Sequence, residues 1–521
     1  MRFETVDQAV KAAGNKDKKQ FYSSLSYNKI DIDTIFDRPN HAHTEAIADL
    51  IEADMAQYGL SDAQRGNLKR LREGRKVVIG GQQAGLFMSP SYIIHKIISL
   101  LIVTNELNTV HNKEAVPVFW VAGEDHDFEE VNHTFVYDSY YRRRVKVSYK
   151  PNLSVPMSVG FYEYDKNAMK ESLNKLVAYL GDSTYVTELK ESVSHQIERC
   201  TSWTELFHSL VHETFKSHGL IIFNSHLKAV RELEKPILKK MFKNHQAIDL
   251  AFKDGQKQYN EAMKTAPVID TETTVHLFGN ADTERELLLY KDGSYHLGGE
   301  TYSHDEVLAL IEEKPESFSN NVVTRPLMQE ALFNTAVFLG GGAEVKYWGE
   351  IHKTFEVMDL QMPIVLKRME FVYQDERIQK LLNKYELNFD DALVQNINEL
   401  KRTLIDNHTD EALLKEVDHI KETIDEAFEV LYKKKDEYFN SQLIDSNKKQ
   451  HQLHLDYLKN RYNIEIKRSL RQDLHNLEEL SEKLFPNGVL QERIYHPWQL
   501  SAELWDYSPL SYTENLVIIK K

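Results

Sequence analysis

Cysteine is almost absent, Cys200 being the only one in 521 residues. A lone thiol excludes an internal disulfide and leaves nothing from which to build a thiolate metal cluster. It fits a reducing compartment, where free thiols persist. Its neighbours Glu198, Arg199 and Thr201 suggest a helix end, so a small, partly buried apolar residue is a simpler reading than a nucleophile. Long hydrophobic runs are also missing. The apolar stretch Ile97 to Val103 is far too short to span a bilayer, and Met1 to Lys19 is too mixed and charged for a signal peptide. A soluble, cytoplasmic protein without a membrane partner is expected. Positive charge is in deficit too. A formal net charge of −16 argues against a broad nucleic-acid-binding surface, and so against a nucleic-acid partner, but leaves room for a local basic pocket.

What is present is a globular composition, 41% hydrophobic and 28% charged, in a chain long enough for more than one structural unit. Short apolar runs at Lys76 to Ile79, Val116 to Ala122, Leu220 to Phe223, Ala336 to Leu339 and Ile364 to Leu366 alternate with helical patterns such as Ser91 to Glu106. That alternation predicts a parallel, doubly wound α/β sheet. Within this core (residues 1–373), a stretch of about 145–302 reads as inserted. It carries a helix over Asn167 to Leu180 and a hairpin turning at Asp292-Gly293.

The texture changes near Gln374. Val417, Ile420, Ile424, Ala427 and Leu431 recur at steps of three and four, as do Leu455, Leu458, Tyr462, Ile466, Leu470, Leu474 and Leu477. Narrow apolar stripes between charged positions suit helix–helix seams. We expect residues 374–485 to form a long antiparallel coiled-coil arm, joined near Asn440 to Asn447 and used for homodimerisation or packed on the core. Pro486-Asn487-Gly488 ends it, and residues 486–521 are expected to return to the core.

Four segments carry candidate chemistry. In Gly80-Gly81-Gln82-Gln83-Ala84-Gly85, continuing through Ser89 to His95-Lys96, a strand ends in paired glycines and a loop leads into a helix. Glycine lets backbone amides approach a ligand, and the helix N-terminus adds donors. Gln82, Gln83 and Ser89 can orient polar groups, and Lys96 can neutralise an anion, although the segment matches neither a P-loop nor a dinucleotide fingerprint. A tight structural turn explains it about as well, and His95 reads as a packing histidine. Next, the strand through Trp120 empties into Glu124-Asp125-His126-Asp127, where open α/β sheets bind ligands. Asp125 and Asp127 can hold an ammonium group or magnesium, and His126 can exchange protons. A solvated turn capping the following helix is the plain alternative. His126, Asp127 and His133 are competent metal ligands, but at no specific zinc spacing, and no tightly bound transition metal is expected. In the third segment Arg325 precedes a helix-starting proline and can grip a carboxylate or phosphate, or simply form an ion pair. The fourth, Gly340-Gly341-Gly342 to Trp348, offers Glu344 and Lys346 and repeats the strand–glycine–helix arrangement.

Together these segments resemble the bacillithiol synthase family of cysteine-adding enzymes. The resemblance rests on Gly-Gly-Gln-Gln-Ala-Gly-Leu-Phe from Gly80, Phe-Trp-Val-Ala-Gly-Glu-Asp-His-Asp from Phe119 and Thr-Arg-Pro-Leu-Met-Gln-Glu from Thr324. Ala343 to Trp348, Gln491-Glu492-Arg493 and the late helical hairpin add to it, so it covers nearly the whole chain. It implies a Rossmann-like core with connecting-peptide insertions and a coiled-coil dimerisation arm. It also implies a ligase joining cysteine to glucosaminyl-malate, with nucleotide use suggested by the core. A carboxylate does not acylate an amine unactivated, so ATP with Mg2+ would be needed, through an acyl-adenylate or an acyl-phosphate. On side-chain chemistry, Gly81, Gln82, Gln83, Ser89 and Lys96 would hold substrate or phosphate groups, with Trp120, Glu124, Glu344 and Lys346 lining the cleft. Asp125 and Asp127 would take the cysteine ammonium or magnesium, His126 would be the base, and Arg325 would meet the malate carboxylates. A metal-dependent hydrolase built on the acidic–histidine cluster and a coiled-coil scaffold are the competing readings.

Overall fold

The structure, a computed structural model, describes residues 2–6, 19–124, 127–152, 157–281, 284–390, 393–501 and 506–521. The chain divides into two compact units, Met1–Tyr373 with Gln491–Ile519, and Gln374–Leu490 with the last two residues.

The first unit is built on five strands, Val77–Gln83 (β1), Val116–Ala122 (β2), Ile221–Asn224 (β3), Thr335–Gly340 (β4) and Ile364–Lys367 (β5). They lie in the order β3-β2-β1-β4-β5, every neighbouring pair parallel, with Val77 opposite Val116 and Phe338 opposite Ile79. This is the doubly wound order, in which the chain changes direction across the sheet between β1 and β4. Both faces are covered, which is why the strands read as unbroken apolar runs rather than alternating ones. The helices that position the site are Tyr92–Thr109 (α1), Thr184–Arg199 (α2), Trp203–Phe215 (α3), Lys228–Lys243 (α4), Arg325–Leu332 (α5) and Gly342–Glu350 (α6). The stretch read as inserted contains more than an insertion, because the edge strand β3 lies within it. Its hairpin pairs Leu289–Lys291 with Ser294–Leu297, and Asp292 and Gly293 both take the positive φ a tight two-residue turn requires. Cys200 is buried, and burial pushes its thiol up to about 11, leaving it inert.

The C-terminal segment is pinned by its own polar side chains. The Gln491 amide oxygen accepts from the Tyr373 backbone N–H at 2.7 Å, and the Glu492 carboxylate from that of Phe371 at 3.2 Å. Val517 and Ile519 then enter the core.

The second unit centres on helices Glu411–Lys433 (α7) and Ser441–Ser469 (α8). Lys421 pairs with Asp456, Asp418 with Lys459, Asp425 with Gln452 and Tyr432 with Asp445. Numbers fall on one helix as they rise on the other in a single register, so the hairpin is antiparallel. The connection lies at 434–440, ahead of the expected joint, because the Asn440 side chain caps Leu443 and starts α8 at once. The expected stripe also divides. Val417 and Ile466 are buried, whereas Ile420 and Leu458 stand exposed. No described helix is long and apolar enough to cross a membrane.

Candidate functional site

The paired glycines after β1 do a packing job first. A Cβ on Gly80 would meet the Leu339 carbonyl of β4 at 2.9 Å, and one on Gly81 the Trp120 carbonyl of β2 at 2.8 Å. The space above the glycines is taken by neighbouring strands and by the stem of Lys96, 3.6 Å from where the Gly80 Cβ would be. The Lys96 ammonium, on the second turn of α1, donates to the Gly81 carbonyl at 2.7 Å, to Gln82 Oε1 at 2.8 Å and to Glu344 Oε2. Glu344 also accepts from the Gly341 N–H at 2.7 Å, closing the N-terminus of α6 on itself. Burial pulls the Lys96 pKa down and Glu344 opposes it.

Arg325 opens α5 beside this group. Its guanidinium donates to Gln329 Oε1 at 3.2 Å and to the Tyr347 hydroxyl at 3.1 Å, and its centre lies 6.0 Å from the Trp120 ring. Burial would lower its pKa, but Tyr347, Glu344 and Glu124 raise it, so Arg325 is charged. Trp120 is itself in the core, edge-on to Phe223 at 4.5 Å, with its indole N–H unpartnered.

Glu124, at the end of β2, is committed to a buried ion pair with Arg231 of α4, which also bonds Glu234 at 2.5 Å. Burial would raise the Glu124 pKa, but Arg231 holds it down, whereas burial wins at Glu234 and lifts it to about 7. Next to them lies His226, edge-on to Phe161 at 4.0 Å, with both ring nitrogens buried and unpartnered. Burial and the positive charge of Arg231 drop it to about 4, so it is neutral. Gln82 and Glu124 at the ends of β1 and β2 are thus joined by Lys96 of α1, Arg325 of α5 and Glu344 of α6, a charged cluster at the switch point, where such sheets take ligands.

Other expected residues lie elsewhere. Asp125 and His126 fall outside the described residues. Asp127 is exposed and caps the short helix Phe128–Val131 by accepting from the Glu129 N–H at 3.1 Å. Ser89 is buried with its hydroxyl 2.5 Å from that of Thr134, and Lys346 donates to the Ala266 carbonyl at 2.6 Å. Neither bonds to the Lys96 group. Gln83 ends β1, half-buried. Among the described residues no group of three or more His, Cys, Asp or Glu is placed to hold a metal ion.

Sequence reasoning missed Arg231, Glu234 and His226, which lie far along the chain in segments without a motif. It also missed a second buried network. His95 bonds Glu492 at 2.5 Å and the Tyr373 hydroxyl at 3.0 Å, and Arg368 bonds the other Glu492 oxygen at 2.5 Å. Burial would raise the Glu492 pKa, but Arg368 and His95 bring it to about 2. Beside His95 a cavity of about 110 Å³ is walled by Met88, Ile94, Tyr185, Leu189 and Trp498.

A Rossmann-like α/β unit with a charged cluster at its switch point, followed by an antiparallel helical arm, defines the class. Residues 10–369 match the family model described as the N-terminal Rossmann-like domain of bacillithiol biosynthesis BshC, and residues 371–504 match that of its C-terminal coiled-coil domain. The chain belongs to the BshC bacillithiol-biosynthesis family. It is 39% identical over 510 residues (96% of this chain, 95% of the relative) to the "Putative cysteine ligase BshC" of Staphylococcus carnosus strain TM300. The protein of the same name from Staphylococcus haemolyticus strain JCSC1435 is 36% identical over 530 residues, covering 99% and 98% of the two chains. That from Staphylococcus aureus strain MRSA252 is 37% identical over 497 residues, covering 93% and 92%.

Proposed function

We propose that this chain is a cytoplasmic ligase that joins the carboxyl group of cysteine to the amine of glucosaminyl-malate, with ATP activating the carboxylate. The observation that carries the reading is Arg325, charged, half-buried and hydrogen-bonded to Tyr347 and Gln329 beside the Lys96–Glu344 pair. A guanidinium held this way suits a two-oxygen grip on a carboxylate, and the malate moiety offers two. ATP supplies the leaving group that a free carboxylate lacks. Lys96 fits a role in balancing negative charge at the sheet edge, and Mg2+ arriving with the nucleotide needs few protein ligands. Asp127, with Asp125 and His126 directly after Glu124, is assigned to the ammonium of cysteine and to proton removal from the attacking amine.

The arm is assigned to homodimerisation, because Leu413, Ile420, Leu453, Tyr457 and Leu458 remain exposed on the α7–α8 hairpin. The test is reconstitution of the full chain with cysteine, glucosaminyl-malate, ATP and Mg2+, following amide and nucleotide products together. Amide formed in step with AMP or ADP is the expected result. Amide formed without nucleotide turnover, or no amide at all, overturns it.

A further inference from the structure

Arg325 lies four residues beyond Asn321, the end of a buried polar line that the reading above leaves unexplained. His276 is wholly buried and takes a positive φ of 60°, a conformation few residues with a side chain adopt. Its Nε2 lies 3.1 Å from Asp249 Oδ1, on the helix His245–Met263, and its Nδ1 lies 3.2 Å from the Asn321 side-chain nitrogen. The direction of each bond is fixed by chemistry. A carboxylate only accepts, so Nε2 carries the hydrogen and Nδ1 is bare to accept from the Asn321 amide. That turns Asn321 Oδ1 to the N–H groups of Val323 at 2.9 Å and Thr324 at 3.3 Å. The Asn321 carbonyl then accepts from the Arg325 N–H at 2.9 Å, while the Thr324 hydroxyl donates to the His276 carbonyl at 2.7 Å.

We propose that Asp249, His276 and Asn321 are positioning residues that set the start of α5 and so aim the Arg325 guanidinium at a substrate carboxylate. This rests on the reading of Arg325 as the carboxylate ligand. An asparagine caps a turn unaided in many proteins. A buried carboxylate and imidazole behind it determine which way the amide faces, and a one-residue register in α5 decides where the guanidinium points. Turning the Asn321 amide would release the N–H groups of Val323 and Thr324. The groups facing His276 are Asp249 with its partner Lys253 at 2.7 Å, the Phe252 ring edge, the Asn321 amide and, nearby, His245.

The test uses the full-length chain and separates KM for the dicarboxylate amine from kcat. Asn321→Asp still accepts from both backbone N–H groups but has no amide hydrogen to give the bare His276 Nδ1, so KM should rise. His276→Ala should raise KM about tenfold, with kcat changed far less, about 1.4 kcal/mol in binding. Variants that melt earlier but keep the wild-type KM would overturn the proposal by showing a purely structural network. Arg325→Ala separates the two claims. If it leaves KM unchanged, the carboxylate reading falls and the positioning role with it. If it raises KM while the Asn321 and His276 variants do not, only the positioning role falls.

Discussion

Lys96 and Glu344 meet across the point where the sheet changes direction, the cation carried by the helix after β1 and the anion by the helix after β4. The Lys96 side chain is 1% exposed and that of Glu344 25%. Two glycine turns that look alike in sequence are thereby locked to each other, and what looked like two separate ligand loops is one ion pair.

Replacing Glu344 by Gln should therefore cost about 3 kcal/mol of stability, the low end for breaking a buried pair because Glu344 is a quarter exposed. Urea unfolding of the purified variant measures it. The double variant Lys96→Met, Glu344→Gln should recover most of the loss, since it removes the stranded charge as well. A loss under about 1 kcal/mol for Glu344→Gln, the range of exposed pairs, would mean that the ammonium is not confined as described.

Arg325→Lys keeps the charge but removes the planar fork that reaches both Tyr347 and Gln329. KM for the dicarboxylate amine should rise about tenfold, with KM for cysteine unchanged. Equal changes in both constants would place Arg325 outside the dicarboxylate subsite.

Much of the fold was legible because buried parallel strands write themselves as uninterrupted apolar runs. Val77 to Ile79, Val116 to Val121 and Ala336 to Leu339 could hardly be anything else. The turn at Asp292-Gly293 was legible for a local reason, its two positive φ angles. The site was less so. Lys96, Gln82, Glu344, Arg325 and Trp120 come together as a set, yet Ser89 and Lys346 are spent on Thr134 and Ala266. Side-chain chemistry is readable from sequence, but direction is a property of the folded backbone. Arg231 and His226 were invisible because nothing near them in sequence marks a charge as buried. Glu492 stood out in the Gln491-Glu492-Arg493 triplet, but its pairing did not, because its partners Arg368 and His95 are 124 and 397 residues away.

Glu330 gives a pH-dependent prediction. Burial raises its carboxyl pKa to about 8 against the opposing pull of Thr335, Lys76 and Arg38. The unfolded value is about 4.3, so the folded state holds this proton more tightly. The favourable contribution is complete below the unfolded value and is lost as pH rises through 8. Glu330→Gln, which cannot ionise, should gain stability relative to the wild type from pH 5 to pH 8, by at most about 1.4 kcal/mol per pH unit. Parallel denaturation midpoints for the two proteins over that interval would show Glu330 to be ionised already.

The register of the arm makes the dimer proposal specific. The pairs Lys421–Asp456 and Asp418–Lys459 place Leu413 opposite Ile464 and Ile420 opposite Tyr457, two apolar pairs one heptad apart. All four side chains are exposed, Ile420 at 42% and Tyr457 at 67%, while Val417 between them is buried. Apolar pairs repeating outward at seven residues are what a second helical hairpin would cover. Ile420→Lys with Tyr457→Lys should convert a dimer to a monomer in sedimentation equilibrium. Far-ultraviolet circular dichroism should be unchanged, because neither residue lies in the seam between α7 and α8. A wild-type chain that sediments as a monomer, or a double variant that remains dimeric, would assign this face to solvent or to a different partner.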